Sequence, residues 1–135
     1  MKALIVDDDE VVRVVMKEIL ISLGYDVLEA KNIKQAKQCL ASCIDLDLMT
    51  LDSTLANQSG TGFLAELREM PKHIEKPKVV MVSCENSMDS ILGALAAGAD
   101  EYIMKPFDKD IVREKLGMIG MFHAEVSDIE EKTCH

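Results

Sequence analysis

The sequence lacks any long hydrophobic run. No stretch approaches the ~20 apolar residues that span a bilayer, so a membrane-embedded chain is not expected. The apolar start, Ala3 to Val6, meets Asp7 too soon to form the hydrophobic centre of a secretory leader. A cytoplasmic location is the expectation. Basic charge is also scarce: 15 Lys and Arg stand against 24 Asp and Glu, a formal net charge of −9. That balance opposes non-specific binding to nucleic acid or to an anionic lipid surface, so neither is expected as a direct partner. Cysteine occurs only at 39, 43, 84 and 134, and a cytoplasmic chain with a full core needs no disulfide. Cys39 and Cys43 stand four apart on a predicted helix, but no neighbouring His or Cys completes a four-ligand site. They read as buried or half-buried thiols. His73, His123 and His135 have no partner spacing for metal binding or catalysis. No internal repeat or compositional break divides the chain, and its 135 residues fit one domain with a sizeable core.

What is present is a regular alternation. Ala3-Leu-Ile-Val6 is a continuous apolar run of the kind buried on both faces of a sheet. Behind it, Val11, Val12, Val15, Met16, Ile19, Leu20 and Leu23 recur at helical spacing, with Asp9 as the N-cap and Gly24 as the stop. Tyr25 to Ala30 is a second strand. Asn32 and Gln35 form a capping box for a helix to about Ser42 that buries Ile33, Ala36 and Leu40. A third strand, about 47–51, stops at Asp52. Phe63, Leu64, Leu67 and Met70 mark the next helix, ended by Pro71. Val79 to Val82 is a fourth strand, followed by a helix from Ser87 to the stop at Gly98. Glu101 to Met104 is a fifth strand, and Asp108 caps a last helix expected to bury Ile111, Val112, Leu116 and Ile119. Such alternation predicts an α/β fold: a doubly wound, five-stranded parallel sheet with helices on both faces. The domain is expected over 1–122, and the acidic, weakly patterned stretch 123–135 as a flexible tail. Lys2, Asp45, Asp47, Asp100 and Glu101 read as solvated edge charges.

In a parallel sheet all strands point one way, and ligands bind beyond their carboxyl ends. The strand ends here are Asp7 and Asp8, Asp52, Ser83 and Lys105. Alone, Asp52 is an ordinary turn residue. Together these ends converge three carboxylates, a hydroxyl and an ammonium. Clustered carboxylates raise one another's proton affinity, and a hard divalent cation relieves their repulsion. Mg²⁺ suits oxygen ligands and keeps several waters. A free carboxylate beside such an ion is a candidate nucleophile for phosphoryl transfer. Lys105 and Ser83 are candidate donors to phosphoryl oxygens.

Four blocks now stand in order: Leu4-Ile-Val-Asp7-Asp8-Asp, Asp47-Leu-Met-Thr-Leu-Asp52, Val79-Val-Met-Val-Ser83, and Ala97-Gly-Ala-Asp-Glu-Tyr102-Ile-Met-Lys105-Pro106-Phe107. From about residue 2 to 121 the sequence resembles the receiver (CheY-like) domain of two-component response regulators. The last block is the most specific. The resemblance implies the flavodoxin-like strand order 2-1-3-4-5. It implies Asp52 as phosphoacceptor, and Asp8, Asp52 and the Thr54 carbonyl as Mg²⁺ ligands, with Asp7 acting through a bound water. It implies Ser83 as switch hydroxyl, Tyr102 as aromatic switch and Lys105 as phosphate-binding lysine, before a cis bond to Pro106. It places Thr54 and Glu85 beside the phosphoryl group, where they would tune its lifetime; Glu85 otherwise reads as a solvated loop residue. It implies a sensor histidine kinase or a histidine phosphotransfer protein as donor. The output would be a change in the face of the fourth helix, fifth strand and fifth helix, presented to a downstream protein, an output domain or a second copy.

The loop after Asp52 departs from the family pattern. The family commonly has Pro where this chain has Ala56, and Gly62-Phe63 resembles the usual start of the third helix. That alignment lengthens the loop by about two residues, unless Gly60 takes the role of Gly62. Cys84 stands where a small Ala is usual, either as an oxidation-sensitive thiol or as a small side chain leaving room for phosphate. One rival reading is a phosphorylation-independent binding module, which the intact set of strand-end residues disfavours. Another is an aspartyl phosphatase, which wants an acid two residues past the nucleophile, where Thr54 stands. A flavin carrier is disfavoured by Asp7-Asp8-Asp9, which would repel a phosphate. The chain is expected to work on its own phosphorylation and dephosphorylation, not on an outside substrate. No output domain follows the last helix in this sequence, so a stand-alone receiver or part of a longer regulator is expected.

Overall fold

A computed structural model describes residues 1–42 and 45–122. Cys43 and the expected tail 123–135 lie outside the described residues.

The elements follow the alternation. They are β1 (Lys2–Val6), α1 (Glu10–Ser22), β2 (Asp26–Ala30), α2 (Ile33–Ser42), β3 (Leu48–Asp52), β4 (Thr54–Leu55), β5 (Gln58–Ser59), α3 (Gly60–Glu69), a 3₁₀ turn at Pro71–His73, β6 (Lys78–Ser83), α4 (Met88–Ala97), β7 (Glu101–Met104) and α5 (Lys109–Met118). β2-β1-β3-β6-β7 form one parallel sheet. That is the order 2-1-3-4-5 when the strands of this sheet alone are counted. Its inner strands are buried on both faces, which is why they read as unbroken apolar runs. On one face Leu4, Met49, Leu51 and Met81 pack with Ala36, Leu64 and Ala94 of α2, α3 and α4. On the other, Ala3, Ile5, Leu48 and Val80 pack with Met16, Leu20, Val112 and Leu116 of α1 and α5.

The helix starts follow their sequence signals. Asp9 accepts from the N–H groups of Val11 and Val12, Ser59 from Gly62, Ser87 from Ser90, and Asp108 from Ile111. Asn32 accepts from the Gln35 N–H at 2.8 Å, while the Gln35 side chain reaches back to the Lys31 N–H at 3.0 Å, one residue earlier than a capping box requires. Gly98 ends α4 at φ +115°, a left-handed conformation that glycine adopts at least cost.

Three expectations need correction. Ile111, expected to be buried by the last helix, is 38% exposed, and Val11 and Val15, at helical spacing with Met16 and Ile19, are 70% and 39% exposed. The first turns of α1 rise past the strand ends and line, with Val12, Cys84, Lys105, Pro106 and Phe107, a hollow of about 300 Å³. The segment after Asp52 is a hairpin, β4-β5, rather than an open loop, and Gly60, not Gly62, opens α3. Finally, Asp100, Asp47 and Glu101 are not merely solvated. Asp100 accepts from the Val79 N–H at 2.8 Å and pairs with Arg68 at 3.1 Å. Asp47 accepts from the Lys2 N–H at 2.8 Å, and Glu101 from the Tyr102 N–H at 2.9 Å. They close the backbone at strand starts, a role visible only once the strands are adjacent.

Candidate functional site

Strand register assembles the site. Val6 pairs with Leu51, so Asp7 and Asp52 emerge side by side from β1 and β3. Asp52 pairs with Val82 and Ser83 with Met104, so Ser83 and Lys105 follow along the same edge. One carboxylate oxygen from each of Asp7, Asp8 and Asp52 lies within 4.8 Å of the others. Among the described residues this is the one cluster of His, Cys, Asp and Glu with metal-binding spacing.

The three carboxylates differ in environment. Asp7 is buried, and its Oδ1 accepts from the Asp9 N–H at 2.9 Å. Asp8 is exposed and accepts from the Ala56 N–H at 3.1 Å. Asp52 is half-buried and accepts from the Thr54 N–H at 3.3 Å. Lys105 Nζ stands 2.9 Å from Asp7 Oδ2 and 3.3 Å from Asp52 Oδ2. Burial, then the Asp7 charge, raise the proton affinity of Asp52, and Lys105 only partly offsets them. Burial pulls the Lys105 ammonium down, but its bonds and charge pairing with Asp7 and Asp52 outweigh that and hold it above the ordinary lysine range. One ammonium among three carboxylates leaves a negative surplus, which is the electrostatic condition for a cation site.

Ser83 is 1% exposed and does not bond the carboxylates directly. Its Oγ lies 2.6 Å from Ser53 Oγ and accepts from the Glu85 N–H at 3.1 Å. Tyr102 is buried and donates its hydroxyl to the Glu85 carbonyl at 2.8 Å. The Glu85 carboxylate is engaged by the Ser90 hydroxyl at 2.6 Å. Thr54 is exposed on β4. The Lys105-Pro106 bond is cis, as the resemblance implied, and so is Lys76-Pro77. Cys84 is exposed and lines the hollow beside Lys105.

Sequence reasoning missed three contributors. Ser53 meets Ser83 because the next register step after Asp52–Val82 sets them opposite each other. Arg13 donates to the Asp7 carbonyl at 2.8 Å, tying α1 to the end of β1. Gly60 packs so tightly on Asp52 that a Cβ there would sit 1.9 Å from the Asp52 carbonyl oxygen. Only the adjacent Gly60/Gly62 ambiguity hinted at the last.

The family model for the response regulator receiver domain matches residues 3–117. This chain is a member of the response-regulator receiver family. The receiver is 32% identical over 120 residues to the chemotaxis protein CheY1 of Helicobacter pylori, covering 88% of this chain and 96% of that protein. It is 35% identical over 132 residues to the transcriptional regulatory protein AruR of Pseudomonas aeruginosa, covering 93% of this chain and 52% of that one. In fold, the receiver matches the crystal structure of a two-component response regulator from Clostridium difficile. That match has a TM-score of 0.79 at 28% identity and covers 88% of this chain and 94% of that one.

Proposed function

We propose that this receiver accepts a phosphoryl group on Asp52 from a phosphohistidine and uses it to reshape a protein-binding face. The observation carrying this reading is the convergence of Asp7, Asp8 and Asp52 around one point, with Lys105 reaching two of them. Oxygen donors alone, with surplus negative charge, fit a hard divalent cation such as Mg²⁺. Asp7, Asp8, Asp52 and the Thr54 carbonyl would hold it. When bound, Mg²⁺ supplies charge neutralisation for the phosphoryl oxygens.

The residues divide the remaining work. An Asp52 carboxylate oxygen attacks phosphorus; the O–P bond forms as the donor's N–P bond breaks. The leaving imidazole keeps the bonding electron pair and takes its proton from solvent. Lys105 turns from Asp52 to a phosphoryl oxygen as a charged donor. Ser83 donates to another, and Tyr102 follows through Glu85, whose N–H donates to Ser83 Oγ and whose carbonyl accepts from the Tyr102 hydroxyl. Water later attacks phosphorus as the Asp52 O–P bond breaks, the carboxylate keeps that electron pair and inorganic phosphate leaves, with Thr54 and Glu85 setting how easily. The chain catalyses these two steps on itself and on no outside substrate.

The donor is a sensor histidine kinase or a histidine phosphotransfer protein. The output face is α4-β7-α5, where Met88, Leu92 and Met104 are at least half exposed. A downstream protein, an output domain or a second copy is the partner there. A cytoplasmic location suits such partners, and among the described residues no helix is long and apolar enough to cross a membrane. Incubation with acetyl phosphate and Mg²⁺, read by intact mass, tests the reading. One labile phosphoryl adduct is expected for the native chain and none for Asp52→Asn or without metal. A folded, metal-supplied chain that gains no adduct would instead be a phosphorylation-independent binding module.

A further inference from the structure

The Ser53–Ser83 contact leads to an inference that rests on the phosphoacceptor reading and goes beyond it. Ser83 is 1% exposed, and its Oγ already accepts from the Glu85 N–H. Its own proton therefore needs an acceptor inside the protein, since a buried donor left unpaired is costly. Among the described residues, the acceptor within reach is Ser53 Oγ, at 2.6 Å. Ser53 is half-buried and can give its own proton to water. The hydrogen bond therefore runs from Ser83 to Ser53.

We propose that Ser53 is a positioning residue that takes the Ser83 proton in the resting state and so opposes the switch. Phosphoryl oxygens accept hydrogen bonds and donate none. Ser83 has a single proton. It must release Ser53 before it can bond a phosphoryl group on Asp52. The residue after the phosphoacceptor thereby sets how much of the phosphoryl interaction is offset by a bond already present. Its position follows from register, because Asp52 pairs with Val82 and the next step places the two hydroxyls side by side.

The test is a titration with Mg²⁺ and beryllium fluoride, a tetrahedral stand-in for a phosphoryl group, followed by the Glu85 amide resonance. Ser53→Ala removes the resting acceptor and leaves the bound state's bonds intact. Its half-saturation should fall about fivefold, the worth of one net hydrogen bond. Ser53→Thr keeps the hydroxyl and should retain the native value, while Ser53→Val, isosteric with the threonine variant, should behave like Ser53→Ala. That pair decides the matter even if Ser53→Ala fails to fold. In a Ser83→Ala background the Ser53 substitutions should make no difference. Unchanged or weaker binding by the Ser53 variants, with Ser83 intact, overturns the proposal and leaves the phosphoacceptor reading standing. No saturable binding by the native chain overturns both.

Discussion

Gly60 and the carbonyl of Asp52 are packed against each other with no room for a side chain: a Cβ at 60 would lie 1.9 Å from that oxygen. The Gly60 N–H also donates to the Ser53 carbonyl at 2.8 Å, which folds the hairpin back onto the end of β3. The clash is with backbone and cannot be relieved by a rotamer change. Gly60→Ala should therefore cost roughly 2–3 kcal/mol in a urea melt, and should displace the Asp52 backbone. Native stability for Gly60→Ala would show that the hairpin is free to move.

The hairpin tip explains why the family's proline is missing. Ala56 and Asn57 have φ of +48° and +68°, a two-residue turn with both central residues left-handed. Proline, fixed near φ −65°, cannot take the first position and has no N–H to give Asp8. Ala56→Gly should raise stability by about 0.5–1 kcal/mol by relieving the left-handed alanine. Ala56→Pro should lower it. Equilibrium unfolding of the two variants checks both signs, and a stabilising proline would contradict the turn.

Asp52 sits at a cost to the fold. Its carboxyl holds its proton more tightly in the folded chain than in the unfolded one, first through burial and then through Asp7. Ionising it therefore disfavours folding. That penalty is absent below the ordinary carboxylate range, where both states are protonated, and complete above the raised folded value. Asp52→Asn should melt about 2–5 °C higher than the native chain at pH 7 without Mg²⁺. The gap should close as pH falls through the window between the raised and ordinary values. A gap that widens on acidification would reverse the sign assigned to Asp52.

Lys105 works in the opposite direction. Burial lowers its proton affinity, but Asp7 and Asp52 raise it further, so its stabilisation is complete below the ordinary lysine range and lost only as pH rises through the elevated folded value. Lys105→Met should leave buried Asp7 without a cation and cost roughly 2 kcal/mol or more at pH 7. Added Mg²⁺ should restore part of that loss, because ligand binding to the folded state adds stability. Scanning calorimetry with and without Mg²⁺ reads both effects. Indifference to metal in both chains would remove the cation site.

The fold and most of the site were legible because both depend on strand ends. Apolar runs fix where strands stop, and a parallel sheet gathers those stops on one edge, so Asp7, Asp8, Asp52 and Lys105 could be grouped without coordinates. Ser53 escaped notice because its partner is set by lateral register, which no periodicity encodes. Asp100 looked like a solvated charge for a similar reason. Its Val79 and Arg68 partners are 21 and 32 residues away in sequence. Val11 and Val15 share the helical stripe of Met16 and Ile19, but the pattern could not show that this end of α1 overhangs the sheet.

The most direct test of the phosphoacceptor is chemical trapping at residue level. The chain is incubated with acetyl phosphate and Mg²⁺, reduced with borohydride, which converts an acyl phosphate to an alcohol, and digested for peptide mass analysis. Homoserine at position 52, at no other aspartate and only when Mg²⁺ is supplied, is the predicted result. Reduction at Asp7 or Asp8 instead, or at no carboxylate in a folded chain, would contradict the account.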